Sequence, residues 1–562
     1  MVEGSSRISG QSYGYRSEHN SSRGVDRRRP FGVRSSRRLR YRSRRLVEID
    51  MFMNAAEYRE SLRAQSPRVF VQGQRVDSVA DEPLLRPGIN AVGVTYDFAL
   101  REDCRPVSVA TQHTSGVDVN RFLHINQTTT DLLTKLEYVR LVCRETGCAM
   151  RYLTQDGFNA LFQISHRVDE DLGTDYHSRF LNYLHDAQER DLTVGIAMTD
   201  AKGDRRLRPS EQPNPDTYVH VVERRSGGVV ISGTKAIVTS APYVHELMVL
   251  PGRAMTEADR DFTIACAVPL DAPGLTIVAR PAGRPGNASA SFSGRYGQST
   301  GVCRFENVFV PWERVFLCGE WKHAEFLTKS YATHHRHTCI AARAGFGDLL
   351  IGAGALMIEA NGLSTDRNGH LRDTMVDLIK TVEGFYASGV AASVYGVVDP
   401  SGAIEPEPVY ANIGKLLLAT QIYDMHRLAH TVSGGLVATL PGPEEDHNPE
   451  TSADLAAVLT ARPDVPYAQR AAVAGFIEDL TVSESAGWYS TISLHGGGSP
   501  EAMKGEIHRR YPIAERKELV KRLVERGVAE VAGPSSAQPG QCCDTGCTVP
   551  ETPEVIKRRP QD

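Results

Sequence analysis

The sequence predicts an α+β fold in which a central antiparallel β region lies between two helical regions. Two observations carry this. Apolar residues recur three and four apart before residue 195 and again from about 319 to 528. Between them, over 196–318, short β-branched runs alternate with Gly, Pro and Asp turns. Length agrees, because 562 residues with 41% hydrophobic content can bury a core spread over several domains. The expected organisation is an Arg-rich disordered extension at 1–50, a helical domain at 51–195, a β-domain at 196–318, a helical bundle at 319–530 and a disordered Cys-containing tail at 531–562.

Taken in order, residues 1–46 hold 13 Arg against Glu3, Glu18 and Asp26, and their near lack of aliphatic residues leaves nothing to pack. Such a segment is a disordered arm, a nucleic-acid or targeting arm, or sequence upstream of a start at Met51 or Met53. The globular pattern opens with "NAAEYRESLR", whose acidic first turn reads as a capped helix. "TTTDLLTKLEYVRLVCRETGC" follows with Thr and Asp cap candidates ahead of a helical period. Runs such as "TYVHVVERRSGGVVISGTKAIV", "FTIACAVPL" and "TGVCRFENVFVP" are strands, and after "VPWERVFL" the helical period returns. The last thirty residues are rich in Pro, Gly and Ser, and Cys542, Cys543 and Cys547 there form an incomplete set for a tetrahedral metal.

Charge and composition exclude some functions. The net charge is -4, so with ten surplus positive charges in 1–46 the remainder is clearly acidic. That argues against nucleic acid as the main partner of the folded part. No run of eighteen uninterrupted apolar residues marks a membrane span, and no secretory h-region opens the chain. Ten scattered Cys without paired spacing fit reduced thiols in a cytoplasm.

Two strings carry chemistry. In "GIAMTDAKGDRRL", Met198, Thr199 and Asp200 sit on a turn able to present N–H groups and a hydroxyl, as an electron-poor flavin ring requires. The bland alternative is a polar turn with a Thr cap. "SGTKAIVTSAPYVHE" ends a strand in Thr239, Ser240 and Ala241, placing two hydroxyls near that turn. "AMTDAKGDR", "GTKAIVTSA", "FENVFVPWERVF" and "SGGLVATLP", in this order, resemble the signatures of acyl-CoA dehydrogenase-like flavoproteins. "YRESLR", "AMTEADRDF", "GFGDLLIGAGAL" and "LHGGGSPEAM" narrow the resemblance to the 4-hydroxyphenylacetate 3-monooxygenase and 4-hydroxybutyryl-CoA dehydratase family, the dehydratase branch more closely, over about residues 51–528.

That resemblance implies a homotetramer of acyl-CoA dehydrogenase-like subunits with FAD between domains and subunits. Met198, Thr199, Asp200, Arg205, Thr239, Ser240, Arg336, Gly434 and Gly435 form the implied cofactor-binding set. The glycine pair would approach a neighbouring subunit's cofactor, since glycine lets backbone come close to a pyrophosphate, although a helix C-cap reads equally well. The Arg336 guanidinium suits a diphosphate.

Departures from the family matter as much. Its dehydratases hold an iron–sulfur cluster by a Cys-x-x-x-Cys pair and a His-x₆-Cys pair. Here Cys148 and His335 match one position of each, but Tyr152 and Ala342 stand at the partners, with Cys339 nearby, so a cluster is not expected. The dehydratase's carboxylate positions fall at Thr300 and Ile492. The phenol-recognising positions of the monooxygenase branch fall near Leu153, Gly157 and Val194 or Gly195, so the substrate differs. His335, Arg151 and Tyr152 are the expected catalytic residues, with His334, His337, Cys339 and His495 as further pocket or structural groups and no metal ligand among them. The leading expectation is an FADH2-using two-component monooxygenase, fed by a separate reductase, acting on a small aromatic or carrier-bound substrate. A dehydratase or isomerase with a degenerate cluster and a catalytically silent binding subunit remain the alternatives.

Overall fold

Local sequence chemistry sets the first helix. Asn54 accepts from the N–H groups of Ala56 and Glu57 while Glu57 reaches back to the Asn54 N–H, a capping box that starts Ala55–Arg63. The computed structural model describes residues 52–531 apart from 288, 289 and 440. The Arg-rich extension and the tail with Cys542, Cys543 and Cys547 lie outside the described residues. Thr128 and Asp131 form a second capping box for Thr129–Thr146, and the helices Tyr152–Leu172 and Tyr176–Glu189 follow.

Between 194 and 318 the strands pair as two sheets. The six-stranded sheet runs Gln74–Arg75, Arg68–Val71, Leu275–Ala279, Thr300–Pro311, Gly228–Thr239, His220–Arg225. Its centre is the long antiparallel pair whose register runs from Thr300↔Thr239 to Pro311↔Gly228. Alternating burial along Thr300–Pro311 shows one face on the core, as the period-2 pattern requires. The four-stranded sheet runs Val315–Cys318, Ile264–Pro269, Glu246–Val249, Val194–Ala197. The antiparallel expectation holds except in two pairs. Arg68–Val71, from the first helical stretch, lies parallel to Leu275–Ala279, and Val194–Ala197 lies parallel to Glu246–Val249. Both parallel pairs join strands far apart in sequence, a partnership that no local pattern encodes.

The helical part centres on Ala324–Ala360, 37 residues long. That helix touches Thr129–Thr146, Tyr152–Leu172, Gly369–Val394 and Pro408–Ser433. The segment Trp321–Ala360 is long and apolar enough to cross a bilayer by length and composition, but most of its apolar window is buried against protein. A helix covered on most sides reads as apolar all round because it is the centre of a bundle.

Burial at this centre keeps several histidines neutral. Desolvation, followed by Lys135, pushes His334 down to about 3, and the same two influences hold His337 well below its usual value. Burial takes His245 to about 3 and His426 to about 4. Each binds a proton on unfolding at a pH between its depressed folded value and its ordinary value of about 6.5. The unfolded state therefore holds more protons in that window, and stability falls as pH drops from about 6.5 toward 4, by up to about 1.4 kcal/mol per pH unit per histidine. Urea midpoints should fall between pH 7 and pH 5, and His337→Gln should flatten the slope. Midpoints constant across that range would contradict the neutral assignment.

Candidate active site

Two helices build the site. On Ala324–Ala360 the spacing His335-x₃-Cys339-x₃-Arg343 puts an imidazole, a thiol and a guanidinium on one face. Facing them, Tyr152–Leu172 offers Tyr152 and, one turn on, Asp156. His335 Nδ1 lies 3.1 Å from Asp156 Oδ2, and its Nε2 lies 3.5 Å from Cys339 Sγ. Asp156 also accepts from Lys135 Nζ at 2.7 Å and from the Thr338 hydroxyl at 2.7 Å. Lys135 and Asp156 have fully buried side chains. Tyr152 and Tyr331 stack on the His335 ring at centroid distances of 6.5 and 5.6 Å.

A small cavity lies between these groups, lined by Met150, Tyr152, His335, Cys339, Arg343 and Lys415 among others. Arg343 Nε donates to Ser493 Oγ at 2.5 Å, and Lys415 Nζ donates to the Ser493 carbonyl at 2.6 Å. Arg343 Nη1 is buried without a hydrogen-bond partner. Gly497 has φ +77°, and a Cβ there would meet His335 Cδ2 at 3.2 Å, so the Gly496–Gly498 turn closes on the imidazole only as glycine.

The electrostatics follow from burial opposed by charge pairing. Burial works against a charged His335, but Cys339 beside it and the Asp156 carboxylate raise it to about 9. Burial resists a Cys339 thiolate, yet His335, then Lys415 and Arg343, bring the thiol below its ordinary range. Asp156 is held at about 2, since Lys135 and His335 outweigh its desolvation. Burial brings Lys415 down to about 8, opposed by Cys339.

Of the three expected catalytic residues, His335 and Tyr152 line the cavity and Arg151 does not. Arg151 donates to the Asp191 carboxylate and to the Asp191 carbonyl at 3.0 Å, with its guanidinium carbon 3.7 Å from the Tyr96 ring centroid. It ties the start of its helix to the segment entering Val194–Ala197. His334 Nε2 is 3.2 Å from Gln163 Oε1, and His337 Nε2 is 2.8 Å from Ser393 Oγ, so both face neighbouring helices. His495 is exposed, and Leu153, Gly157, Val194 and Gly195 are buried.

Ala342 and Ile492 line the same cavity, so the positions where the resemblance locates cluster ligands and a carboxylate do converge here. What fills them does not fit a cluster. The Tyr152 hydroxyl lies 3.4 Å from Cys148 Sγ and donates to Met150 Sδ at 2.9 Å. The buried Arg343 cation, another wall of this cavity, lies close enough to help lower the Cys148 thiol. Cys148 and His335, even with Cys339 beside His335, make at most three protein ligands next to a fixed cation, short of the four that such a group ordinarily requires.

The expected cofactor residues form three separate groups. Ala236 N–H donates to the Thr199 carbonyl at 2.7 Å, so the Met198–Asp200 turn lies against the Gly228–Thr239 strand, with Thr239 three residues further on. Lys235 Nζ fixes the turn, donating to the Met198 carbonyl at 2.9 Å and pairing with Asp200 at 2.7 Å. Asp200 is thereby committed to Lys235, and Arg205 is exposed on the following loop. Ile237, a β-branched residue, has φ 58° and is 60% exposed, and Ser240 has φ 61°. Such backbone is strained, because a left-handed φ is costly for residues other than glycine. The Ser240 hydroxyl is buried without a partner. Arg336 bonds the Gly497 carbonyl at 2.8 Å and Asn412 at 2.7 Å. Gly434 and Gly435 are exposed, and a Cβ on either meets nothing within 4 Å.

The glycine pair lies by the C-terminal end of Ala324–Ala360, and Arg336 lies in the first half of that helix. Asn361, which caps Ala324–Ala360, donates to the Ser433 carbonyl at 3.4 Å. Residues 336 and 361 are therefore separated by about 37 Å of helix.

Comparison with known proteins agrees with this architecture. The 4-hydroxyphenylacetate 3-hydroxylase N-terminal model matches residues 54–317, and its C-terminal model matches 324–525. The 4-hydroxybutyryl-CoA dehydratase/vinylacetyl-CoA-Δ-isomerase of Clostridium aminobutyricum is 34% identical over 84% of this chain and 99% of its own length. An oxygen-tolerant archaeal 4-hydroxybutyryl-CoA dehydratase from N. maritimus superposes with TM-score 0.81 at 33% identity, covering 88% of this chain and 97% of that one. The oxygenase component of a 4-hydroxyphenylacetate 3-monooxygenase from Thermus thermophilus is 26% identical over 63% of this chain and 75% of its own length. The chain belongs to the 4-hydroxyphenylacetate 3-hydroxylase family, whose dehydratases and monooxygenases share the acyl-CoA dehydrogenase-like fold.

Arg151→Met should lower folding stability by about 3–5 kcal/mol, because it leaves the Asp191 carboxylate buried without its cation. A denaturation midpoint that hardly moves would show that the pair contributes little.

Proposed function

We propose that this chain is a flavin-dependent oxidoreductase working in the cytoplasm as the oxygenase component of a two-component monooxygenase. It takes FADH2 from a separate reductase and oxygenates a small aromatic or carrier-bound substrate. The observation that carries the reading is the cavity wall: Tyr152, Ala342 and Arg343 stand where cluster chemistry needs thiolates and space. The greater identity to dehydratases reflects the scaffold, while the residues that would run cluster-assisted dehydration differ.

The residues fit FAD. The orphaned Ser240 hydroxyl and the strained Ile237–Ser240 backbone beside the Met198–Asp200 turn supply a preformed polar edge. FAD, when reduced, supplies the electrons and the oxygen activation, so the protein's work is binding, orientation and exclusion of water. Lys235 holds the turn in register through the Met198 carbonyl and Asp200. His335, with Nδ1 fixed by Asp156, holds or moves a proton at Nε2 on the cavity side, and the Tyr152 hydroxyl orients a polar substrate group there.

A homotetramer completes the reading. With Gly434–Gly435 about 37 Å along the helix from Arg336, the two groups serve one cofactor only if neighbouring subunits contribute them. Leu519, Val520, Leu523 and Val524 on Ile513–Val531 are 44–58% exposed, an apolar helix face suited to burial between chains. Light scattering should return four chains per particle, and a monomer that binds FAD tightly would contradict the shared site.

The decisive test mixes FAD-loaded protein with a flavin reductase, NADH and isotopically heavy O2 over a panel of free phenols and CoA- or carrier-tethered aromatic acids. One heavy oxygen atom in the product is expected. No oxygenated product, together with iron and sulfide in anaerobically purified protein and turnover of 4-hydroxybutyryl-CoA, would move the chain to the dehydratase branch.

A further inference from the structure

Beyond flavin chemistry, the cavity assembles two groups that the reading above leaves idle, the Cys339 thiol and the free arm of Arg343. Asp156, His335 and Cys339 form a continuous hydrogen-bonded line of carboxylate, imidazole and thiol, at 3.1 Å and 3.5 Å. That is the order of orienter, base and nucleophile. Arg343 and Lys415, 4% and 1% exposed, stand on the same cavity wall. Arg343 Nη1, buried without a hydrogen-bond partner, is a donor in need of an acceptor. The cavity has room for about one water, about 10 Å³. A small oxygen electrophile entering it would meet the thiol with both cations at hand.

We propose that Cys339 is a peroxide-reactive thiol, and that the cavity bounded by His335, Arg343 and Lys415 binds hydrogen peroxide and converts this cysteine to its sulfenic acid. The Cys339 thiolate sulfur forms a bond to one peroxide oxygen as the O–O bond breaks. The departing hydroxide takes the proton from His335 Nε2 and leaves as water. Sulfur is oxidised by two electrons and the peroxide is reduced by two. Arg343 Nη1 donates to the peroxide oxygens, supporting the charge that builds on the leaving atom, while Asp156 holds the ring through Nδ1. A small-molecule thiol returns the sulfenic acid to thiol through a mixed disulfide.

The other described cysteines lack this arrangement. Cys104, Cys143, Cys266 and Cys303 are buried, and Cys318 lies on the edge strand Val315–Cys318, paired with Ile264, and does not line the cavity. Cys148 is buried against Tyr152 and Met150 and does not line the cavity. Only Cys339 combines partial exposure with a base and two cations among the described residues.

The test treats FAD-loaded full-length protein with one equivalent of hydrogen peroxide in the presence of dimedone and maps adducts by peptide mass spectrometry. Cys339 should label at least about tenfold faster than any other cysteine, including Cys542, Cys543 and Cys547, following its thiolate character and access. Arg343→Gln should slow that labelling about tenfold while changing iodoacetamide alkylation of Cys339 much less. If that variant does not fold, Lys415→Met should show the same split. Adducts that appear first on Cys148 or the tail cysteines, or at equal rates everywhere, would overturn the proposal. So would a Cys339 that alkylates but never gives a dimedone adduct. None of these readouts depends on oxygenation of an organic substrate, so the two proposals fail separately.

Discussion

The Asp156 carboxylate is the constraint on which the centre of the molecule turns. It sits on one helix, is fully buried, and bonds Lys135 from a second helix and both His335 and Thr338 from a third. A buried carboxylate is tolerable only when its lone pairs are taken by donors. Satisfying it therefore fixes the rotation of all three helices about their axes. That rotation decides which face of Ala324–Ala360 meets the cavity, and hence that His335, Cys339 and Arg343 point inward together.

The β region imposes a parallel constraint. The buried Lys235 ammonium needs acceptors, and it finds them in the Met198 carbonyl, the Leu250 carbonyl and Asp200. A single cation thereby joins the end of one sheet to the middle of the other and sets the turn beside the strained Ile237–Ser240 stretch. In both places a buried charge does more to define geometry than to add stability, since a hydrophobic replacement of similar shape often costs little.

Much of this was legible in the chain. The helix–sheet–helix order follows from hydrophobic period, and Asn54 and Thr128 mark helix starts by side-chain chemistry alone. His335, Tyr152 and the glycine-rich turn were recognisable as local strings. Asp156, Cys339 and Arg343 carried a weaker signal, the four-residue spacing from Tyr152 and His335 that puts them on shared helix faces. Arg151 misled because adjacency to Tyr152 in sequence is about 100° of rotation on a helix, enough to send its guanidinium to Asp191. Lys415 and Ser493 were invisible, because their place depends on helix packing across more than seventy residues.

The Arg343 guanidinium also bears on what converting this pocket would take. Cysteines at positions 152 and 342 would complete, with Cys148 and His335, the ligand pattern that the resemblance implies for a cluster. The cation, held by Ser493 and lying near Tyr489, would still stand on the same wall and attract whichever thiolate it reached. Either cysteine alone would leave three of the four ligands that such a group ordinarily takes, so the conversion needs both changes together.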